Sequence, residues 1–445
     1  MKKKYVRWTL WTIASPFILF VILCILIYLP PIQNFLVDKA AVYASEATGM
    51  NISVGRISLS FPLNLVVTDV DAASPHKDTL LSVRRLQVNV QLLPLLKKQV
   101  EVDGISLQGA TVNSNDLIHG MRLNGTLGEL FISSHGVALD PETAIVNKVL
   151  LKDTDLSLCL NDTAAADTAA SDTTYWKIIL QDIDLQNVSF ALDMPLDSLS
   201  LAASLDNATL RDGLIDLHKS AYSLQTFRIK NGRVRYDSGR PSATASADSL
   251  SAGLDPSHIA LTDIGVKLDS LYYEGRNMKA IISQFVLKER SGVEIVSTEG
   301  RLVSNDKVLR VPSLKLETRD SYLELNAAMD WDALDFKKEG LVSARLMADI
   351  GKPDVVRFMG SMDEKFIRKY PSEPLRIRTG IDGDLNKLKL TTLTAELPGA
   401  LELFAKGELT SLTDSLLRGG DITLQAETKD LKFISTLAEG IEIPY

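Results

Sequence analysis

Cysteine is nearly absent from this chain. Cys24 and Cys159 are the only two in 445 residues. Cys24 lies in an apolar run, which argues against an intramolecular disulfide, and two cysteines cannot frame a metal site. Histidine is also scarce. His76, His119, His135, His218 and His258 are scattered, with no two at ligand spacing such as i, i+4. A basic excess is missing too: the net charge of −8 disfavours nucleic acid as a partner, because phosphate binding needs a basic surface. There is no G-x-S-x-G elbow. Gly351-Lys352 resembles the end of a phosphate loop, but Leu346 stands where that loop needs a glycine. Asp and Glu are plentiful, yet they sit in turn-like stretches around Asp182, Asp269 and Asp382, where solvation is their ordinary role. The expectation is a protein with no catalytic residues, no cofactor and no metal.

Charge is absent from one long stretch, Trp8 to Val37, directly after Lys2, Lys3, Lys4 and Arg7. Its most apolar part, Phe17 to Leu29 with the flank from Trp8, approaches the ~20 residues that cross a bilayer as a helix. Trp8, Trp11 and Tyr28 stand near its ends, where amphipathic rings favour the interface. The run is longer than a cleaved signal's apolar core and ends in Leu29-Pro30-Pro31 rather than a small-residue cleavage site. Residues 1–30 therefore read as a cytoplasmic tip and signal anchor, with residues 8–29 in an inner membrane. The positive-inside rule exports the rest. The first seven residues carry +4, which leaves −12 beyond them.

Residues 31–50 read as a juxtamembrane helix, with Ile32, Phe35, Leu36 and Tyr43 at helical spacing and Gly49 as its C-cap. From 51 onward β signals dominate, and the apolar positions repeatedly change parity. In FRIKNGRVRYD, Phe227 and Ile229 are odd while Val234 and Tyr236 are even, across Asn231-Gly232. A two-residue type I′ hairpin turn produces that switch and keeps one face apolar, with Arg228, Lys230, Arg233 and Arg235 on the other. The same switch occurs from Ile105 and Leu107 to Ala110 and Val112, and from Ile183 and Leu185 to Val188 and Phe190. It recurs from Val266 and Leu268 to Leu271 and Tyr273, and weakly across Asn386-Lys387. Hairpin turns are thus expected near 108, 186, 231, 269 and 386, in a sheet with one apolar and one polar face.

Three segments interrupt the pattern. Residues 161–175 are small and polar and read as a flexible loop. Thr163, Thr168 and Thr173 there follow aspartates in triplets similar to the acceptor motif of an envelope O-glycosylation system. Turn chemistry alone accounts for such triplets elsewhere. Residues 352–371 place Val355, Met359, Met362, Phe366 and Tyr370 on one helical face, a segment suited to plugging an apolar opening. A further helical stripe begins at Leu431. The chain stops soon after it and reads as the N-terminal portion of a longer one.

The apolar face must leave water, either under a second sheet or beneath another apolar layer such as lipid acyl chains. Periodicity alone leaves both open. The anchor, the short helix, NISVGRISLSFPLNLVVTDVDA (Asn51 to Ala72) and units such as LQDIDLQNVSFAL together resemble the AsmA/TamB-like family of envelope proteins. That resemblance implies a mainly β fold. A transmembrane helix would carry an elongated antiparallel β-groove, with a few short amphipathic helices, over residues 51–445 in the periplasm. It further implies transfer of phospholipid toward the outer membrane, the acyl chains lying on Ile183, Leu185, Val188, Phe190, Phe227, Ile229, Val234, Tyr236, Val266 and Tyr273. The alternatives are an assembly factor that offers strand edges to outer-membrane barrel proteins, and a structural tether. The family's TamB branch adds a C-terminal domain that engages a barrel partner, and this chain shows no counterpart.

Overall fold

A computed structural model describes residues 39–60 apart from 40, 44 and 47. It further describes 64–74, 79–91, 102–114, 120–138, 142–161, 175–239, 253–334, 338, 340–359, 364–384, 386–412 and 418–430. The chain is mainly β, with 76% of the described residues in strands of one large antiparallel sheet and only short helices. Residues 41–43, 45–46 and 48 are helical, and Gly49 ends the segment with a φ of 69° and an amide bonded to the Ser45 carbonyl at 2.9 Å. The left-handed conformation there suits glycine, as the C-cap reading requires. Among the described residues no helix is long and apolar enough to cross a membrane. The anchor at 8–29, the loop threonines and the stripe from Leu431 all lie outside the described residues.

The chain divides into two compact units. The first contains β1 (Asn51–Ser60), β2 (Asn64–Ala73), β3 (Thr79–Val90), β4 (Val102–Asn113), β5 (Met121–Ala138) and β6 (Thr143–Leu160). Each pairs antiparallel with the next. β7 (Lys177–Met194) contributes its residues 184–193 to this unit, where Asn187 Nδ2 donates to Asp153 Oδ1 of β6 at 2.9 Å.

The second unit takes residues 177–183 of β7 and then β8 (Leu199–Asp216), β9 (Ala221–Leu224), β10 (Thr226–Ser238), β11 (His258–Glu274) and β12 (Asn277–Glu289). There follow β13 (Glu294–Ser304), β14 (Val308–Thr318), β15 (Tyr322–Asp330), β16 (Val342–Ile350), β17 (Leu375–Gly383), β18 (Lys387–Leu397), β19 (Leu401–Thr410) and β20 (Gly419–Thr428). From β11 to β20 every strand pairs antiparallel with its successor. β9 and β10 run in line between β8 and β11, separated only by Gln225. Turns are closed by side chains that mimic backbone: Asn305 Oδ1 accepts the amides of Lys307 and Val308, both at 2.9 Å.

The expected hairpins at 108, 186, 231 and 269 are not turns. Each position lies inside one continuous strand. Ile229 and Val234, which a hairpin would pair, follow one another along β10; Ile229 pairs with Ala208 and Val266, and Val234 with Ala203 and Leu261. At 269 the ladder to β12 slips between Leu268 and Ser270; at 108, 186 and 231 the parity switch has another cause. Gly109, Asn187 and Asn231 adopt φ values of 62°, 52° and 51°, and Asp69, Asp153, Asp212 and Asp263 do the same at 50–54°. A single left-handed residue rotates the chain enough to shift the alternation of its side chains, and Asn, Asp and Gly tolerate that conformation best. Opposite such residues space is short. A Cβ on Gly128 would stand 2.7 Å from the Cβ of Asp153, so only glycine fits there. The weakest candidate is the true hairpin. Asp384 closes it by accepting the amides of Asn386 and Lys387 at 2.7 Å, between β17 and β18.

Helix α1 (Lys352–Met359) and helix α2 (Glu364–Lys369) follow β16. Two short helices thus occupy the segment whose stripe implied a single helical face. Tyr370, buried to 7% exposure, meets Leu397 at 4% and Ala400 at 1%, with Val355, Leu375 and Leu401 packed around them. Lys352 Nζ donates to the Tyr370 carbonyl at 2.8 Å and ties the two ends of the insert together.

Candidate functional site

Cross-strand partners share a face of the sheet, so the pairing register shows which side chains lie in one row. In the first unit Leu59, Leu65, Val88, Ile105, Ile132 and Val149 form one row, strand by strand from β1 to β6. Next to it run Ile57, Val67, Leu86, Leu107, Leu130 and Leu151. Then comes the crease, where Asp69, Gly109 and Asp153 carry their left-handed φ. Beyond it Val54, Val70, Val83, Ala110 and Leu127 resume the apolar series. All five strands make the same two-residue polar step at the same place, which keeps apolar partners matched on both sides.

The expected lining residues fall into this pattern. Leu185, Val188 and Phe190 belong to the first unit and bracket Asn187, while Ile183 belongs to the second. In the second unit Phe227 pairs with Leu210 and Leu268, and Tyr236 with Leu201 and Ile259. Val266 faces Ile229 on one side and Phe285 on the other. A further crease runs through Asp212, and there the Gln225 amide donates to the carbonyls of Arg211 and Asp212 at 3.1 and 3.3 Å. Past it, Tyr273 pairs with Tyr222. The structure therefore brings Phe227, Ile229, Val234, Tyr236, Val266 and Tyr273 onto one local surface.

These side chains are half-buried. Phe190 is 38% and Tyr273 42% exposed. Fully buried hydrophobics are few among the described residues and consist largely of alanines; Leu80, Val83, Ile264, Val293, Tyr370 and Leu397 are the larger ones.

The other face is polar, and several of its charges are paired. Arg233 meets Asp206 at 3.4 Å and Arg235 meets Asp237 at 2.8 Å, so this half of the basic stripe on β10 forms solvated ion pairs of small energetic weight. Asp263 beside Lys288, with Glu294 behind it, holds that ammonium above its usual range. A cavity of about 760 Å³ over β17–β20, lined in part by Arg376, Arg378, Glu396, Glu402, Phe404 and Glu427, also opens on this side. Arg378 is taken by Asp349 at 2.7 Å and Glu402 by Lys429 at 2.5 Å. Among the described residues no group of three or more His, Cys, Asp or Glu is placed to hold a metal ion.

Sequence reasoning missed one buried polar cluster. Asp354 of α1 is 1% exposed; Thr318 Oγ1 and Ser321 Oγ donate to its Oδ2, the latter at 2.6 Å, and Arg357 donates to Oδ1 at 3.1 Å. Arg357 also reaches Asp320 at 2.9 Å. A buried carboxylate with three donors is a latch that fixes α1 to the β14–β15 turn. Its signal, a lone acid in the first turn of a helix, is indistinguishable in sequence from an exposed N-terminal acid.

No family model matches this sequence, and no curated protein matches it.

Proposed function

We propose that this protein is a lipid-transfer conduit of the AsmA/TamB-like kind, anchored in the inner membrane through residues 8–29 and extending into the periplasm. The observation that carries the reading is the set of apolar cross-strand rows, half-buried, with few large side chains fully buried among the described residues. Exposed apolar patches larger than a few hundred Å² mark binding surfaces. An acyl chain laid along such rows supplies the missing layer, each buried methylene contributing about 0.8 kcal/mol. Head groups remain in water, so the task requires no covalent chemistry.

The test uses the full chain, extracted in a detergent that contains no phospholipid and weighed intact by native mass spectrometry. Phospholipid is expected to be retained in stoichiometric amounts. Val188→Glu with Val234→Glu, which places a carboxylate in each unit's apolar surface, is expected to remove it while leaving the far-ultraviolet dichroism unchanged. A folded wild-type chain free of lipid overturns the conduit.

One observation favours a second reading. All ten residues of β20 are exposed, and among the described residues it pairs only with β19. An assembly factor would offer such an edge to a barrel protein by strand addition. Crosslinks from β20 to nascent barrel strands, with no retained lipid, would favour it.

A further inference from the structure

The outermost apolar row at one rim of the second unit differs from the rows behind it. Tyr222 of β9 and Tyr273 of β11 pair directly and stack with ring centroids 6.1 Å apart and planes 30° apart. They are 40% and 42% exposed. Their hydroxyls have no protein partner among the described residues. The rings are held firmly, because β9 pairs with β8 and β11 at once. The crease at Asp212 and Gln225 leaves them level with the apolar residues, the next rows inward being Leu224 with Leu271 and Phe227 with Leu268. Two turns bracket the pair; Lys219 is exposed in one, while the Arg276 guanidinium of the other lies over the Trp331 ring, 5.5 Å from its centroid. Amphipathic tyrosine belongs where an apolar body meets water and its hydroxyl needs a hydrogen-bond partner.

We propose that Tyr222 and Tyr273 form a ledge for the glycerophosphate portion of a phospholipid whose chains lie on the rows inward of it. The inference rests on the conduit reading and adds to it a fixed orientation, head group at this rim. The phenol hydroxyls donate to ester or phosphate oxygens, and Lys219 in the adjoining turn adds a positive charge at the same rim.

The experiment compares the full-length wild type with Tyr222→Phe/Tyr273→Phe, which keeps both rings and the stack. Two probes are titrated, a nitroxide-labelled phosphatidylglycerol and a nitroxide-labelled fatty acid of equal chain length. The double variant is expected to bind the phospholipid about tenfold more weakly, the loss of two hydrogen bonds, and the fatty acid equally well. A phospholipid carrying a photoreactive head group is expected to label peptides containing Tyr222 or Tyr273. Equal phospholipid affinity in the two proteins, or labelling only elsewhere, overturns the ledge while leaving the conduit standing. Failure of the wild type to bind either probe overturns both. Binding of glycerol 3-phosphate with comparable affinity overturns the lipid assignment in favour of a free phosphate-ester site.

Discussion

Within the second unit, β8–β11 and β17–β19 solve one problem in two ways. Both present apolar cross-strand rows. At one end of β17–β19, Val355 of α1 and Tyr370 after α2 pack over the rows, so Leu397 falls to 4% exposure. Among the described residues no such cluster covers β8–β11, whose strands carry three left-handed residues, Asp212, Asn231 and Asp263. The strands of the covered region carry none outside glycine. One strand past the covered region, on β20, Leu424 returns to 60% exposure. An apolar sheet face is therefore no evidence of a core; what decides is whether an element lies on it. The covered part behaves as a packed interior, and the open part holds its shape through backbone pairing and creases.

The sharpest way to break this contrast is to truncate a leucine on each side. Leu397→Ala is expected to lower stability by about 3 kcal/mol, the ordinary cost of an enclosed leucine cavity. Leu424→Ala is expected to cost less than about 0.5 kcal/mol, as exposed substitutions do. Denaturant titration of both variants decides it, and comparable losses would mean that β20 is covered in solution.

The crease offers a smaller test. Asn231 sits at a φ of 51° and its Nδ2 donates to Asp206 Oδ2 at 2.9 Å. Asn231→Val forces a β-branched residue into the left-handed region and is expected to cost about 2 kcal/mol. Asn231→Gly keeps the conformation and is expected to stay within a few tenths of wild type. Amide exchange should locate the valine's effect in β8, β10 and β11 and leave β17–β19 protected. A uniform effect would show that the two regions unfold as one.

Much of this contrast could be read in the residues, though not its cause. The two-faced sheet was visible in the alternation, and so were the places where alternation slips. A hairpin and a left-handed residue within a strand both shift parity by one, and the motif Asn-Gly serves either. What separates them is the partner strand, which lies twenty or more residues away: Val234 faces Ala203, not Ile229. Asp69 and Asp153 make the same crease without a following glycine, and Asp212, which does precede Gly213, sits within β8 all the same. The rows of the first unit went unnoticed for a related reason. Val54 and Ile57 show the two-residue step, but its meaning emerges only when five strands repeat it in register. Burial was the least legible property. Leu397 and Leu424 stand in similar alternating strands, and only the packing of Val355 and Tyr370 against Leu397 tells them apart.

The smallest expected effect lies where the two regions meet. The Leu254 amide donates to the Arg357 carbonyl of α1 at 2.7 Å, and His258 opens β11. Between them Asp255 accepts from the Ser257 amide at 2.9 Å and faces His258 Nδ1 at 2.9 Å. The hydrogen bond to His258, followed by that from Ser257, holds the Asp255 carboxyl below the ordinary aspartate value of 3.8. A carboxylate whose pKa is lower in the folded state stabilises the fold above its unfolded value, and that contribution disappears as the pH falls through the folded value. The window therefore lies below about pH 4. The group is exposed, so the effect on global stability is expected to be slight and is better read locally. Carboxyl-carbon chemical shifts should place the Asp255 midpoint below the ordinary aspartate value of 3.8. His258→Ala should move the Asp255 midpoint upward. An unchanged midpoint would leave the Ser257 amide as the sole cause and remove the histidine from the junction.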